Sequence, residues 1–312
     1  MNETSLQELK DLVAKPTTLT FDESFRLVQE CSRLLGNSEE DVARDLVIRA
    51  LENFSRIPAR TKNLWFNLVE AAGLYPYAEP QALSGAALLR FEYHASEHLP
   101  NIYLHREQIR ISQLLQQGQS VILSAPTSFG KSLLIQEVVA SRRYKNIVIV
   151  QPTLALLDET RKKLKSYSAD YEMIVSTNQR PSLGRNVFLF TGERVVEYGD
   201  LPPIDFFVID EFYKLSLARD DDRAITLNQA LYLLLRHTTR FYLLGPTIKS
   251  VSDELTRRTG AVWIRSDYAT VAVDVSAVTN GHTASRRTAR RTPKAEKQDR
   301  LFNLLATLRS RR

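Results

Sequence analysis

The chain has 312 residues, of which 43% are apolar and 25% charged, and a formal net charge of +6. These proportions describe an ordinary globular protein with room for two domains. No apolar run approaches the roughly 18 to 20 residues needed to span a bilayer, so no membrane partner is expected. The single cysteine, Cys31, excludes an intrachain disulfide and fits a reducing, cytoplasmic setting. The N-terminus Met1-Asn2-Glu3-Thr4 has no basic stretch ahead of an apolar core, so no secretion signal is expected.

Residues 1–97 read as an all-helical accessory domain. Thr20 before Phe21-Asp22-Glu23 has the pattern of a capping box, and Phe21, Phe25, Val28 and Cys31 then recur on one face until Gly36. Ser38-Glu39-Glu40-Asp41 opens a second helix with the stripe Val42, Leu46, Ala50 and Phe54, closed by Pro58. Thr61 to Ala72 is a third, with Leu64, Trp65 and Leu68 inward and Gly73 as its stop. Tyr75-Pro76-Tyr77 and Glu79-Pro80 mark turns. Nothing in this region carries chemistry, and Trp65 and Cys31 are expected in the core. His94, His98, His105, His237 and His282 pair with neither cysteine nor a candidate nucleophile, so they read as structural or solvated and no zinc site is expected.

The chemistry begins at Ala125-Pro126-Thr127-Ser128-Phe129-Gly130-Lys131-Ser132. It follows the apolar run Val121-Ile122-Leu123 and opens a helical pattern, Leu133 to Val139. Strand, short loop, Gly-Lys-Ser and helix is the setting of a phosphate-binding loop. Backbone N–H groups and the helix N-terminus make the anion site. Gly130 admits the phosphates closely, Lys131 reaches the outer ones, and Ser132 can bind Mg²⁺. Ala125 stands where the general pattern has its first glycine. Downstream, Phe206-Phe207-Val208-Ile209 ends in Asp210-Glu211. A carboxylate pair at the tip of a buried strand suits Asp210 to Mg²⁺ and Glu211 to the role of general base toward water.

Taken in order, these motifs resemble the first RecA-like domain of a superfamily 2 DExD/H-box helicase, over roughly residues 98 to 275. That family's loop usually begins with alanine, as Ala125 does. The resemblance implies further roles. Gln108, about one strand and turn before the loop, corresponds to a glutamine that reads adenine. Pro152-Thr153 and Thr191-Gly192-Glu193-Arg194 correspond to nucleic-acid-binding motifs, and Thr247 of Gly245-Pro246-Thr247 to a coupling motif. Two departures stand out. Asp210-Glu211 is followed by Phe212-Tyr213, not by Ala-Asp or Ala-His, and Gly245-Pro246 stands where the family often has Ser-Ala. ATP and Mg²⁺ are the implied cofactors, and single-stranded DNA or RNA the implied partner. Gln108, Ala125 and Pro152-Thr153 argue against a P-loop kinase or a ring-forming ATPase.

The same residues predict the fold without the family. Apolar runs near 121, 147, 187, 206 and 241 are continuous, as in buried parallel strands, and helical patterns separate several of them. The expected class is α/β, a doubly wound, mostly parallel RecA-like sheet over 98–278 behind the helical domain. Ligands would then lie beyond the carboxyl ends of its strands.

Beyond Gly281, ten basic side chains against two acidic ones give the tail +8 and leave −2 for the rest of the chain. Residues 279–312 are expected to be a basic linker, with Arg286 to Lys297 a phosphate-binding or simply solvated stretch. Gln298 to Leu308 would be the first helix of an incomplete second RecA-like domain. The remainder of that domain, with its arginine finger, is expected beyond Arg312 or from another chain. The overall reading is an ATP-dependent helicase or translocase, of which this is the N-terminal motor half. A nucleotide-dependent regulatory module without unwinding activity is the alternative. The Asp-Glu-Phe-Tyr box and helical extension also resemble helicases of bacterial anti-phage defence.

Overall fold

A computed structural model describes residues 3–37, 39–83, 85–216 and 222–272. All of them belong to one compact unit. The linker, the basic stretch and the helix expected over 298–308 lie outside the described residues.

Five helices come first: α1 (Glu3–Ala14), α2 (Phe21–Gly36), α3 (Glu40–Glu52), α4 (Lys62–Ala71) and α5 (Ala86–Tyr93). The capping box at Thr20 and Glu23 forms on both sides, with the Glu23 N–H on Thr20 Oγ1 at 3.2 Å and the Thr20 N–H on Glu23 Oε2 at 2.8 Å. The face of α2 differs from the expected one only in its first turns. Val28 and Cys31 are buried as expected, together with Ser24, Leu27 and Leu34, whereas Phe21 and Phe25 are 44% and 38% exposed and stack on each other. The reason is polar. Ser24 Oγ bonds Thr61 Oγ1 at 2.8 Å and accepts from Trp65 Nε1 at 3.0 Å, which turns the serine, not the phenylalanines, toward the fully buried indole of α4.

A helix α6 (Arg106–Gln116) leads into the sheet. There β1 (Val121–Ser124), β2 (Asn146–Val150), β3 (Tyr171–Ile174), β4 (Arg185–Phe190), β5 (Phe206–Asp210), β6 (Phe241–Gly245) and β7 (Val262–Arg265) pair in the order β3-β4-β2-β5-β6-β1-β7. Every pairing is parallel. Helices α7 (Lys131–Ala140), α8 (Leu154–Leu164), α9 (Gly192–Glu197), α10 (Asp222–His237) and α11 (Asp253–Thr259) lie between the strands in sequence. The α/β architecture is thus the expected one, with two edge strands, β3 and β7, added to the five anticipated.

Strand residues alternate between two cores, as side chains on a pleated sheet must. Val121, Leu123, Ile147, Ile149, Phe206 and Val208 share one cluster with Leu27, Cys31 and Trp65 of the helical region. Ile122, Val148, Val150, Phe207 and Ile209 share the other with Leu231 and Leu234 of α10. The helical region is therefore packed in continuity with one face of the sheet. With the strands parallel, the loops after β1, β2, β4, β5 and β6 all emerge at one edge.

Candidate nucleotide site

The loop after β1 is built by burial at one end and backbone freedom at the other. The Ala125 N–H donates to the Gly245 carbonyl at 3.2 Å, tying the loop to β6. Thr127–Phe129 forms a single 3₁₀ turn anchored by the fully buried Phe129 ring. Gly130 sits at φ 79°, ψ 31° and leads directly into α7. A Cβ at that position would lie 2.4 Å from Gln108 Nε2 and displace that amide, and the positive φ strains any residue other than glycine.

Lys131 is 9% exposed, and its ammonium donates to the Ala125 and Pro126 carbonyls, each at 2.8 Å. Burial pulls its pKa down, while the charges of Asp210 and Glu211 push it back up. Ser132 is exposed one residue further along α7.

Gln108 is one helix and one strand ahead of the loop, at the third position of α6, instead of one strand and turn ahead. Its Oε1 accepts the His105 N–H at 3.1 Å, and its Nε2 donates to the Phe129 carbonyl at 2.9 Å and to that of Gly130 at 3.4 Å. His105 completes the cap, with Nδ1 accepting the Gln108 N–H at 3.2 Å and Nε2 on the Phe129 carbonyl at 3.0 Å. Both ends of the Gln108 amide are therefore engaged within the protein. Gln108 also borders a cavity of about 320 Å³ that Tyr77, Ser128, Gly130 and Thr270 help to line.

The carboxylates stand one strand away from the loop, since only β6 separates β5 from β1. Asp210 Oδ1 accepts the Glu211 N–H at 2.9 Å. Asp210 Oδ2 accepts from Gln151 Nε2 at 3.1 Å, and Gln151 Oε1 in turn accepts from Thr160 Oγ1 at 2.8 Å. Burial raises the Asp210 pKa, the bond from Gln151 lowers it, and Glu211 raises it again. Glu211 has φ 56° and ψ 40°, a left-handed conformation uncommon for a residue with a side chain, which strains the turn that carries it. Gln151 is absent from the expected site residues, and His105 is expected only as a structural or solvated histidine. The available signals were a polar residue closing an apolar strand just before Pro152-Thr153, and a histidine at the cap position three residues before Gln108.

Across β6, Ser124 Oγ donates to the Pro246 carbonyl at 3.0 Å and accepts the Ile248 N–H at 2.8 Å, so the Gly245 to Ile248 turn is fastened to the strand that precedes the loop. Thr247 is exposed on that turn.

Pro152, Thr153, Gly192 and Glu193 line, with Asp210, Lys214 and Arg223, a cavity of about 120 Å³. Thr153 caps α8 through its Oγ1, which accepts the Leu156 N–H at 3.3 Å. Thr191 precedes α9 as its cap residue. Arg194 points elsewhere, with Nη1 on the Val175 carbonyl at 2.8 Å.

Among the described residues no three His, Cys, Asp or Glu side chains cluster as a metal cage. A hydroxyl and a single carboxylate, Ser132 and Asp210, are a donor set that fits Mg²⁺, which usually completes its shell with water and substrate phosphates.

Residues 1–88 match the family described as the N-terminal domain of anti-bacteriophage protein B, and residues 105–253 match the DEAD/DEAH box helicase family. Anti-bacteriophage protein B of Escherichia coli (strain K12) is 36% identical over 264 residues, covering 81% of this chain and 36% of that protein. The chain thus spans about a third of the length of this relative. Similar solved structures include the DUF1998 helicase MrfA bound to DNA (TM-score 0.41, 16% identity, 54% of this chain and 28% of that one). The Pyrococcus furiosus Hef helicase domain is another (TM-score 0.37, 12% identity, 51% and 37%).

Proposed function

We propose, from the premise that residues 105–253 are a DEAD/DEAH-box domain of a superfamily 2 helicase, that this chain carries the ATP-binding half of a nucleic-acid motor acting in defence against bacteriophage. The observation that carries this reading is the convergence at one sheet edge of a buried lysine held by its own loop with a half-buried Asp-Glu pair one strand away. The defence role rests on the similarity to anti-bacteriophage protein B.

In this reading Lys131 exchanges its two carbonyl partners for nucleotide phosphate oxygens. That exchange is favourable because a buried ammonium gains more from an anion than from neutral carbonyls. Ser132 and Asp210 would hold Mg²⁺, which would supply charge neutralisation at the phosphates. Gln151 keeps an Asp210 oxygen in place. Glu211, fixed by its left-handed turn, orients the attacking water and takes its proton. The base lies in the cavity beside Gln108, and adenine recognition requires that amide to give up one of its loop carbonyls. Thr247 couples the nucleotide to the strand-binding surface, to which Pro152, Thr153 and the Thr191 to Arg194 segment belong. Single-stranded DNA or RNA is the proposed partner. The cleft is closed by a second RecA-like domain, in cis or in trans, which also supplies an arginine finger.

Calorimetry with MgATP tests the reading. Lys131→Ala should weaken binding at least about tenfold, the loss expected for removing a charged hydrogen-bond donor. Equal affinities would place the nucleotide elsewhere. Gln108→Ala should narrow the preference for ATP over GTP.

A further inference from the structure

A continuous stack connects the helical region to the phosphate loop. The Arg44 guanidinium of α3 lies 3.7 Å from the centre of the Tyr268 ring. Tyr268 stacks on His105 with centroids 4.4 Å apart and planes 14° from parallel. His105 meets the Phe129 ring edge-on at 4.7 Å and bonds the Phe129 carbonyl. All four side chains are buried, none more than 4% exposed. Tyr268 is itself held by the end of α4, its hydroxyl donating to the Gly73 carbonyl at 2.7 Å and lying 3.1 Å from that of Ala72.

The hydrogen bonds assign the imidazole's state. Nδ1 accepts from the Gln108 N–H, so the proton belongs on Nε2, which donates to Phe129. Burial holds the His105 pKa down at about 4, with Arg44 and His94 pushing the same way and the Phe129 carbonyl opposing. The ring is neutral, and each nitrogen has one job: Nδ1 caps α6 and Nε2 holds the loop.

Resting on the nucleotide reading above, we infer that His105 is a positioning residue for the phosphate loop, and that Arg44 and Tyr268 make the helical N-terminal region part of the nucleotide site. Neither Arg44 nor Tyr268 lies in the loop. They set the plane of the imidazole that fixes the Phe129 carbonyl, and Gly130 and Lys131 follow immediately.

Isosteric substitutions separate the two jobs. Asparagine reaches the place of Nδ1 and glutamine that of Nε2. The probe is MgADP, measured by calorimetry on the whole chain with melting temperatures alongside. His105→Asn keeps the cap and should weaken MgADP about fivefold, the counterpart of one neutral hydrogen bond, with little change in melting temperature. His105→Gln should recover most of that loss. Arg44→Met should weaken MgADP in the wild-type background and have no further effect beside His105→Asn. Unchanged affinity in His105→Asn, equal losses in His105→Asn and His105→Gln, or Arg44→Met acting with the same factor in both backgrounds would each overturn the inference while leaving the nucleotide reading intact. Absence of MgADP binding by the wild-type chain would overturn that reading, and this inference with it.

Discussion

Gly245 and Phe212 are fitted to each other: a Cβ on Gly245 would lie 3.1 Å from both Cδ1 and Cε1 of the Phe212 ring. Phe212 is 4% exposed and packs edge-on to Trp263 at 6.4 Å, so it has no open side to retreat into. The two departures from the helicase pattern, Phe212 after Asp210-Glu211 and Gly245 before Pro246-Thr247, therefore form one contact. An aromatic residue behind the carboxylates leaves tight room for a side chain on the neighbouring strand.

It follows that Gly245→Ser should destabilise the protein by about 1–3 kcal/mol, the usual cost of overpacking. Phe212→Leu, which shortens the ring side, should cost less beside Gly245→Ser than alone. Denaturant unfolding of the two single variants and the double variant gives the coupling. Strict additivity, to within about 0.3–0.5 kcal/mol, would mean that the contact is slack.

A second expectation separates binding from turnover. Glu211→Gln keeps the side chain's shape and the backbone turn but removes the base, so MgATP affinity should hold while turnover in the full-length protein falls about 10²- to 10⁴-fold. Asp210→Ala should instead weaken the dependence of nucleotide binding on Mg²⁺. Full turnover by Glu211→Gln would remove Glu211 from the proposed chemistry.

Gln151 gives a pH prediction. Its N–H bonds the ionised form of Asp210, opposing the upward pull of burial. In Gln151→Leu that opposition is gone, so the Asp210 pKa rises further above the ordinary aspartate value. At a given acidic pH more of Asp210 is then protonated and unable to hold Mg²⁺. The acid limb of the pH–rate profile should move to higher pH. The sign for stability follows from the same shift. A carboxyl with a raised pKa makes the folded state the better proton binder, so stability falls as pH rises through the interval above the ordinary value, more steeply in the variant. An unmoved acid limb would show that another group controls it.

What was legible in the chain follows from where the information resides. The five central strands are buried on both faces, so each is a continuous apolar run, and strands near 121, 147, 187, 206 and 241 could be read directly. The edge strands could not. Tyr171-Glu172-Met173-Ile174 exposes Glu172, and Val262 to Arg265 buries only Ile264 fully, so neither has a distinctive pattern. The loop and the carboxylate pair stand out in the sequence because each is a compact local motif at the end of an apolar run, and the fold brings the two to one sheet edge. Gln151 on Asp210 and His105 on Phe129 join residues 59 and 24 positions apart, and their selection is a matter of three-dimensional proximity. The first turn of α2 differs from its apolar pattern for the same reason: Ser24 is turned inward by Thr61 and Trp65, about 40 positions away, beside the buried Leu27 and Leu34.

The last prediction concerns the basic segment, outside the described residues. From Gly281 onward the sequence carries +8, and the remainder sums to −2. Arginines and lysines that neutralise phosphates release counterions, so the logarithm of affinity falls with the logarithm of salt, by roughly 0.7 per contact on a single strand. Contacts made by Thr153 or by backbone amides at the sheet edge release far fewer ions. Deleting residues 282–312 should therefore remove most single-strand binding at low salt, flatten the salt dependence of what remains, and leave MgATP affinity unchanged. Fluorescence anisotropy with an oligonucleotide across a salt series reads all three. A deletion that left the slope unaltered would place the charged contacts on the body of the protein, with the cavity lined by Lys214 and Arg223 as the first place to look.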